Sequence, residues 1–453
     1  MDQRGIKRNN RWSPDSWREK EALYQPVYED EAEYQRICMR IASLPPLVFP
    51  GEIDTLKKEI ADAACGRAFI LQGGDCVERF DDCREEIILD KVKIILQMSV
   101  ILIHALRKPV LRIGRIAGQF FKPRSSEMEK VNGAQLFTYR GDGLHRYDTT
   151  PEARRFDPFR LLEGYLRAGL TLNYIRSLVD GGFADLHHPD KWRLDAIEKS
   201  DRWRDYREIV ERIVEAINFM ETFGGINPEK LARTDFYTSH EGLHLGYEET
   251  VTKYNSPADL YYNGGAHMVW IGDRTRDAEG GHVEYCRGIE NPVGVKLGPS
   301  VDAEELLKLI EILNPSNSPG KIVLITRMGA ERAGDTATSL AECVKREGRE
   351  AAWMCDPMHG NTTTTRGNRK TRSFERILEE VRQTHAGLRD AGVPLAGVHF
   401  EMTGQDVTEC TGGAEELRDE DLEKNYTTYC DPRLNYAQSL EMAFLLAKLM
   451  RRE

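Results

Sequence analysis

The chain has no run of about 18 uncharged apolar residues, the length a helix needs to cross a bilayer. Its opening, MDQRGIKRNN, is basic but lacks the apolar core of a secretory leader, so a cytosolic, cytoplasmic protein is the expectation. No CxxC pair is present, which excludes the sulfur cages of structural zinc. The nine cysteines are odd in number and irregular in spacing, and they read as reduced thiols rather than a disulfide framework. The glycines of QGGD and AGQF match neither GxGxxG nor a Walker loop, so nucleotide binding has no support. Positive charge is not in excess either: 63 Lys and Arg against 74 Asp and Glu give a net charge of −11. That balance opposes general affinity for nucleic acid or anionic lipid, and any bound anion must be met by a local basic pocket. Neither a repeat of solenoid or propeller period nor a low-complexity tract occurs.

What remains is a 453-residue chain, 40% apolar and 30% charged, that alternates short apolar runs with longer segments of helical period. The runs are AFILQ (68–72), VLRIGRI (110–116), DFYTSH (235–240), HMVWI (267–271), VGVKL (293–297), IVLITR (322–327), AAWMC (351–355) and GVHFEM (397–402). Each ends in a Gly-, Pro- or polar-rich turn, as buried parallel strands with crossover helices do. Eight strands close a (β/α)8 TIM barrel, and helices are expected over 85–107, 302–313, 374–391 and 434–451. The expectation is a single barrel domain over 1–453, with an N-terminal extension (1–65) and a helical insertion (150–230) between strands two and three. The insertion has helix-like stretches at 159–178 and 202–223, and both added pieces suit a cover, subunit contacts or effector sites.

In such a barrel chemistry gathers at the C-terminal ends of the strands. Reading past each run yields two sets of side chains. Cys76, His359, Glu401 and Asp431 form a mixed sulfur, nitrogen and oxygen set that suits Mn, Co, Fe or Zn. Arg115, Lys122, Arg124, Arg274, Lys296 and Arg327 are cations, suited to a small substrate, or two, with several negative charges. Taken singly, a strand-end cysteine is more often an apolar filler and an arginine often pairs with a nearby carboxylate. Their recurrence at one end of successive strands is what favours a site. Cys355 and Cys430 are set aside because each adjoins an Asp, and neighbours on a strand face opposite ways. His187, His188 and the Trp and Arg residues of 192–204 are assigned to the insertion's surface or packing.

In order along the chain stand QGGDC, RIAGQFFKPRS, WIGDRTR, NPVGVKLGPS, RMG, CDPMHGNT, HFEMTGQ and YCDPRLN. From about residue 10 to the last helix the chain resembles the type II 3-deoxy-D-arabino-heptulosonate 7-phosphate (DAHP) synthases, and KPRS with WIGDRTR and HFEMTGQ is a highly specific combination. The resemblance implies a metal-dependent transferase that condenses phosphoenolpyruvate with erythrose 4-phosphate at the head of the shikimate pathway to chorismate and the aromatic amino acids. It implies a divalent ion, Mn2+ or Co2+ first and Zn2+ or Fe2+ as alternatives, on Cys76, His359, Glu401 and Asp431. Phosphoenolpyruvate would meet Arg115, Asp273, Arg274, Lys296 and Arg327, and the aldose phosphate Lys122, Pro123, Arg124 and Ser125. Catalysis would rest on Lys296, Arg115, Cys76 and His359. Where many relatives carry Glu in WIGERTR, this chain has the shorter Asp273. A homo-oligomer, dimer or tetramer, and feedback by an aromatic amino acid are also implied. Rival readings are a synthase of the aminated sugar acid, a metal hydrolase and a silent effector-binding barrel. The hydrolase lacks its usual HxH on strand one, and the silent barrel would be expected to have lost ligands.

Overall fold

The computed structural model describes residues 12–131, 133–181, 208, 211 and 235–451. All eight expected runs are strands: β1 Phe69–Gly74, β2 Val110–Arg115, β3 Phe236–Glu241, β4 Met268–Ile271, β5 Val293–Leu297, β6 Ile322–Thr326, β7 Ala352–Cys355 and β8 Leu395–Glu401. Each pairs in parallel with its sequence neighbours, and β8 returns to β1 to close the barrel, with Gln72 beside His399 and Gly74 beside Glu401. Both faces of every strand are covered, which is why the runs are apolar without alternation.

The two faces serve different layers. Leu71, Val295, Leu324 and Val398 point outward into a large core shared with the surrounding helices. The described helices are α1 Glu31–Ala42, α2 Pro50–Ala64, α3 Glu85–Leu106, α4 Phe159–Asp180, α5 Leu245–Val251, α6 Gly281–Cys286, α7 Ala303–Leu313, α8 Ala333–Arg346, α9 Phe374–Asp390 and α10 Tyr436–Met450, of which α3 and α5 to α10 contribute to this core. Several start at a polar cap that accepts an otherwise orphaned N–H, Asp302 from Glu305 and Asn435 from Gln438. Ile70, Ile113, Met268, Val323, Ile325 and Met354 instead point into the barrel, where they cluster with Leu56, Ile60 and Ala63 of α2. The N-terminal extension thus plugs one end of the barrel with an apolar helix, and the opposite end is left for polar side chains.

In the insertion, α4 covers the first expected helix and packs against α1 and α3. The stretch at 202–223, His187, His188 and the Trp and Arg residues of 192–204 lie outside the described residues, apart from the isolated positions 208 and 211. Three two-stranded hairpins were not anticipated, at 128–137, 252–263 and 362–372. Each strand is only three or four residues long, too short for a periodic signal. Among the described residues no helix is long and apolar enough to cross a membrane.

Ile60 is fully buried beneath the barrel floor. Ile60→Ala should lower the unfolding free energy by about 2–5 kcal/mol, measured by denaturant titration, through lost burial and a residual cavity. An unchanged midpoint would mean that α2 does not plug the barrel.

Candidate active site

Period two along the strands carries the inward row from apolar to polar. Ile70 is followed by Gln72, Ile113 by Arg115, Tyr237 by Ser239 and Glu241, Met268 by Trp270, and Gly397 by His399 and Glu401. All of these polar groups are buried at the C-terminal end. Above them opens a cleft of about 410 Å3, lined among others by Arg115, Lys122, Trp270, Lys296, Arg327 and Asp431. That volume suits small-molecule substrates. A larger recess of about 650 Å3 lies at the other end, beside Ala68 and Leu395, where a barrel carries stability rather than chemistry.

Cys76, Glu401 and Asp431 place their donor atoms within 4.8 Å of one another, the only such group among the described residues. His359, the fourth expected member, reaches this group with Nε2 3.1 Å from Glu401 Oε1. The set attracts positive charge. Lys122 Nζ lies 2.8 Å from Cys76 Sγ, 2.9 Å from Asp431 Oδ2 and 3.6 Å from Glu401 Oε1. Burial pushes the Glu401 carboxyl up, but His359, Lys122, Arg372 and Arg115 outweigh it and hold it well below the usual range. Asp431 is likewise held down against burial, chiefly by Lys122. Burial pushes the Cys76 thiol well up, aided by Cys430 and Glu401, so a bound cation would have to displace its proton. By donor chemistry the thiol, the two carboxylates and the imidazole fit a divalent transition ion.

These donors come from loops far apart in sequence, and buried ion pairs tie the loops together. Asp75, beside Cys76, accepts from Arg433 Nη1 at 2.6 Å and lies 2.5 Å from Lys91 Nζ. Arg433, two residues after Asp431, also donates to Glu409 Oε1 at 2.7 Å and Oε2 at 3.0 Å. Glu78 accepts the N–H groups of Ala117, Gly118 and Gln119 at 3.1, 2.9 and 2.9 Å, clasping the loop after β1 to that after β2. Gly74 has φ 144°, and a Cβ there would lie 2.7 Å from Arg115 O, so glycine lets these two strand ends approach. Glu380 of α9 accepts from Met328 N and Gly329 N at 2.7 and 3.0 Å, and from Asn361 Nδ2 at 2.7 Å, joining the loops that carry Arg327 and His359.

The cationic set converges on the same cleft. Lys296 donates to Asp356, which is itself 2.7 Å from His359 Nδ1. Burial lowers the Lys296 ammonium to about 8, with Asp356 opposing and Arg115 adding to the fall. Arg327 donates to Asp273 at 2.7 Å, while its Nε is buried without a partner. Both oxygens of Asp273 are engaged, Oδ2 by Arg327 and Oδ1 by Gly298 N at 2.7 Å and Arg276 Nε at 3.1 Å. It lines the cleft beside Arg327. Exposed Arg274 donates to Ser125 at 3.1 Å, and Arg124 donates to Cys430 Sγ at 3.2 Å. Pro123 lines the cleft between them.

Cys430 corrects the sequence reading. It clusters with Cys76, because residues 427–433 form no strand and the alternation used to set it aside does not apply. Cys355 does turn away from the cleft, donating to Thr384 of α9 at 3.4 Å. Gln72, Glu241, Trp270 and His399 were missed although period two on their strands marks them as inward. Lys370, 2.8 Å from Asp431 Oδ1, sits on one of the unanticipated hairpins.

Residues 12–447 match the class-II DAHP synthetase family. The chain is 44% identical over 458 residues to phospho-2-dehydro-3-deoxyheptonate aldolase of Neurospora crassa, covering 98% of this chain and 95% of that one. Similar relatives of the same name occur in Streptomyces coelicolor, at 43% identity over 96% of this chain and 97% of that one, and in Mycolicibacterium smegmatis, at 40% over 96% and 94%. The chain belongs to the class-II DAHP synthetase family.

Removing one partner from the buried tie between Cys76 and Asp431 strands its opposite charges. Arg433→Met should therefore cost about 3–5 kcal/mol of stability in denaturant unfolding. A loss no larger than that of an exposed ion pair would show that the tie does not hold the loops.

Proposed function

We infer from this family membership and the site's chemistry that the protein is a metal-dependent 3-deoxy-7-phosphoheptulonate synthase. It condenses phosphoenolpyruvate with erythrose 4-phosphate and water to give DAHP and phosphate, the first step of the shikimate pathway. The observation that carries the assignment of residues is the meeting of two unlike sets, with the donor group of Cys76, Glu401 and Asp431 interleaved with cations that line one cleft. A divalent ion, Mn2+ or Co2+ by the mixed donor set, would be held by Cys76, Glu401, Asp431 and His359 and would polarise the aldehyde oxygen as a Lewis acid.

The chain's own groups divide the remaining work. Lys296, Arg115 and Arg327, all lining the cleft, hold phosphoenolpyruvate. Asp273 aims Arg327. Lys122 faces the reacting end of the aldose because it lies among the anionic donors. Arg124 and Ser125, followed toward the rim by Arg274, are left to hold the aldose phosphate, and Arg274 stands between the two anions. C3 of phosphoenolpyruvate bonds to the aldehyde carbon, whose oxygen takes a proton. Water then adds at C2 and loses a proton, and the hemiketal phosphate collapses to the ketone with release of phosphate. Bringing two polyanions together is unfavourable in water, and a preorganised cationic cleft can contribute about 7–11 kcal/mol through proximity and orientation.

Chelator-treated protein given both substrates should consume the enolpyruvate absorbance only after Mn2+ or Co2+ is added. Cys76→Ser should fold normally yet need far more metal for any activity; wild-type activity after metal removal and restoration would sink the ligand assignment. A second expectation concerns pH. The Lys296 ammonium is the form that meets an anion, and its value lies near 8. The kcat/KM for phosphoenolpyruvate should thus be flat below about pH 8 and fall above it, because this ratio reports the free enzyme. In Lys296→Arg, which stays charged, the alkaline fall should vanish, and its persistence would assign the limb to another group.

A further inference from the structure

We propose that Ser239, Gln72 and His399 form a one-directional hydrogen-bond chain across the barrel interior that fixes Arg115, with His399 as a positioning residue for phosphoenolpyruvate binding. The inference rests on the reading of Arg115 as a phosphoenolpyruvate ligand.

The direction of the chain follows from donor and acceptor capacity alone. A guanidinium can only donate, so in the contact between Arg115 Nη1 and His399 Nε2 the imidazole accepts. Its proton is then on Nδ1, which donates to Gln72 Oε1 at 2.7 Å. Gln72 Nε2 donates to Ser239 Oγ at 2.9 Å, and Ser239 donates to Gly114 O at 3.0 Å. Every link has one donor and one acceptor, and reversing any of them strands another. An imidazolium would set N–H against N–H at Arg115 and break the chain at that link. All three residues are fully buried, so water cannot repair a break cheaply.

The far end of the chain determines what Arg115 offers. Its Nε donates to Asp75 O at 2.9 Å, its Nη2 to Cys76 O at 3.1 Å and Glu401 Oε1 at 3.0 Å, and its Nη1 to His399. Four of five N–H groups are thereby engaged, and one on Nη1 remains. The Trp270 ring flanks the arrangement, with Arg115 Cζ 5.1 Å from its centroid and the His399 ring edge-on at 5.3 Å. Arg115 therefore presents a single, fixed N–H to the substrate rather than a bidentate fork. His399 selects which N–H that is, without itself lining the cleft.

Three variants and one spectrum test this. His399→Asn keeps a polar group facing Gln72 but loses the acceptor for Arg115; His399→Gln carries an amide oxygen toward the Nε2 position. His399→Asn should raise KM for phosphoenolpyruvate about tenfold, the scale of one hydrogen bond to a charged group, with KM for erythrose 4-phosphate and the metal requirement within about twofold of wild type. His399→Gln should restore most of the loss. Equal effects of the two variants, or an unmoved KM, would overturn the chain, provided that Arg115→Gln raises the same KM. If Arg115→Gln leaves it unchanged, the reading of Arg115 itself fails and the proposal with it. Should His399→Asn not fold, nitrogen NMR of histidine-labelled wild type decides. His399 protonated on Nδ1 alone is the expected state, and a proton on Nε2 contradicts the proposal.

Discussion

The carboxylate of Glu401 is wholly buried at the end of β8, and the site is arranged around the need to keep it charged. Oε1 lies 3.0 Å from Arg115 Nη2, 3.1 Å from His359 Nε2 and 3.6 Å from Lys122, and Oε2 accepts from Arg372 Nη1 at 2.7 Å. An isolated carboxylate in such a place would take up a proton, and burial does push this one in that direction. Four basic groups reverse the outcome. Each of them also serves a second purpose. Arg115 and Lys122 face the cleft, His359 completes the donor set, and Arg372 reaches Pro432 O beside Asp431. One buried anion thus fixes the positions of groups from β2, the loops after β2 and β7, and the segment before α10.

That arrangement requires a rigid frame, and the barrel supplies it by splitting its interior. The lower half of the interior is apolar and plugged by α2, with buried Asn291 and Lys321 bonding strand-end carbonyls beside it. The upper half is charged, and its loops are joined by Asp75, Arg433 and Glu409, by Glu78 and by Glu380 as well as by small apolar clusters. Such pairs contribute little net stability compared with an apolar core, but they fix geometry, and breaking one leaves a buried charge unpaired. Their presence around the cleft is consistent with geometry being what the catalytic end needs.

The strands were legible because a parallel barrel buries both faces of each, leaving eight apolar runs between turn signals. That Cys76, Glu401, Asp431 and His359 meet, and that the cations gather beside them, was legible because a barrel concentrates chemistry at one end of its strands. Four features were not. The hairpins are too short to carry a period, so Lys370 could not be placed beside Asp431. Cys430 was misjudged by applying strand alternation to a segment that is not a strand. His399 and Gln72 lie within apolar runs, where a single polar residue does not interrupt the strand signal and only its parity with the rest of the strand marks it as inward. The partners of Asp75 and Glu78, hundreds or tens of residues away, depend on closure of the barrel and leave no local trace.

The central claim is that the donor group of Cys76, Glu401 and Asp431, completed by His359, holds a divalent ion at the floor of the substrate cleft. Anomalous diffraction from crystals of the Mn2+-loaded protein, collected with phosphoenolpyruvate present, tests it most directly. The account predicts one strong manganese peak bonded to those four side chains, with phosphoenolpyruvate beside it on Lys296, Arg115 and Arg327. A peak elsewhere, or phosphoenolpyruvate bound away from these cations, would contradict it.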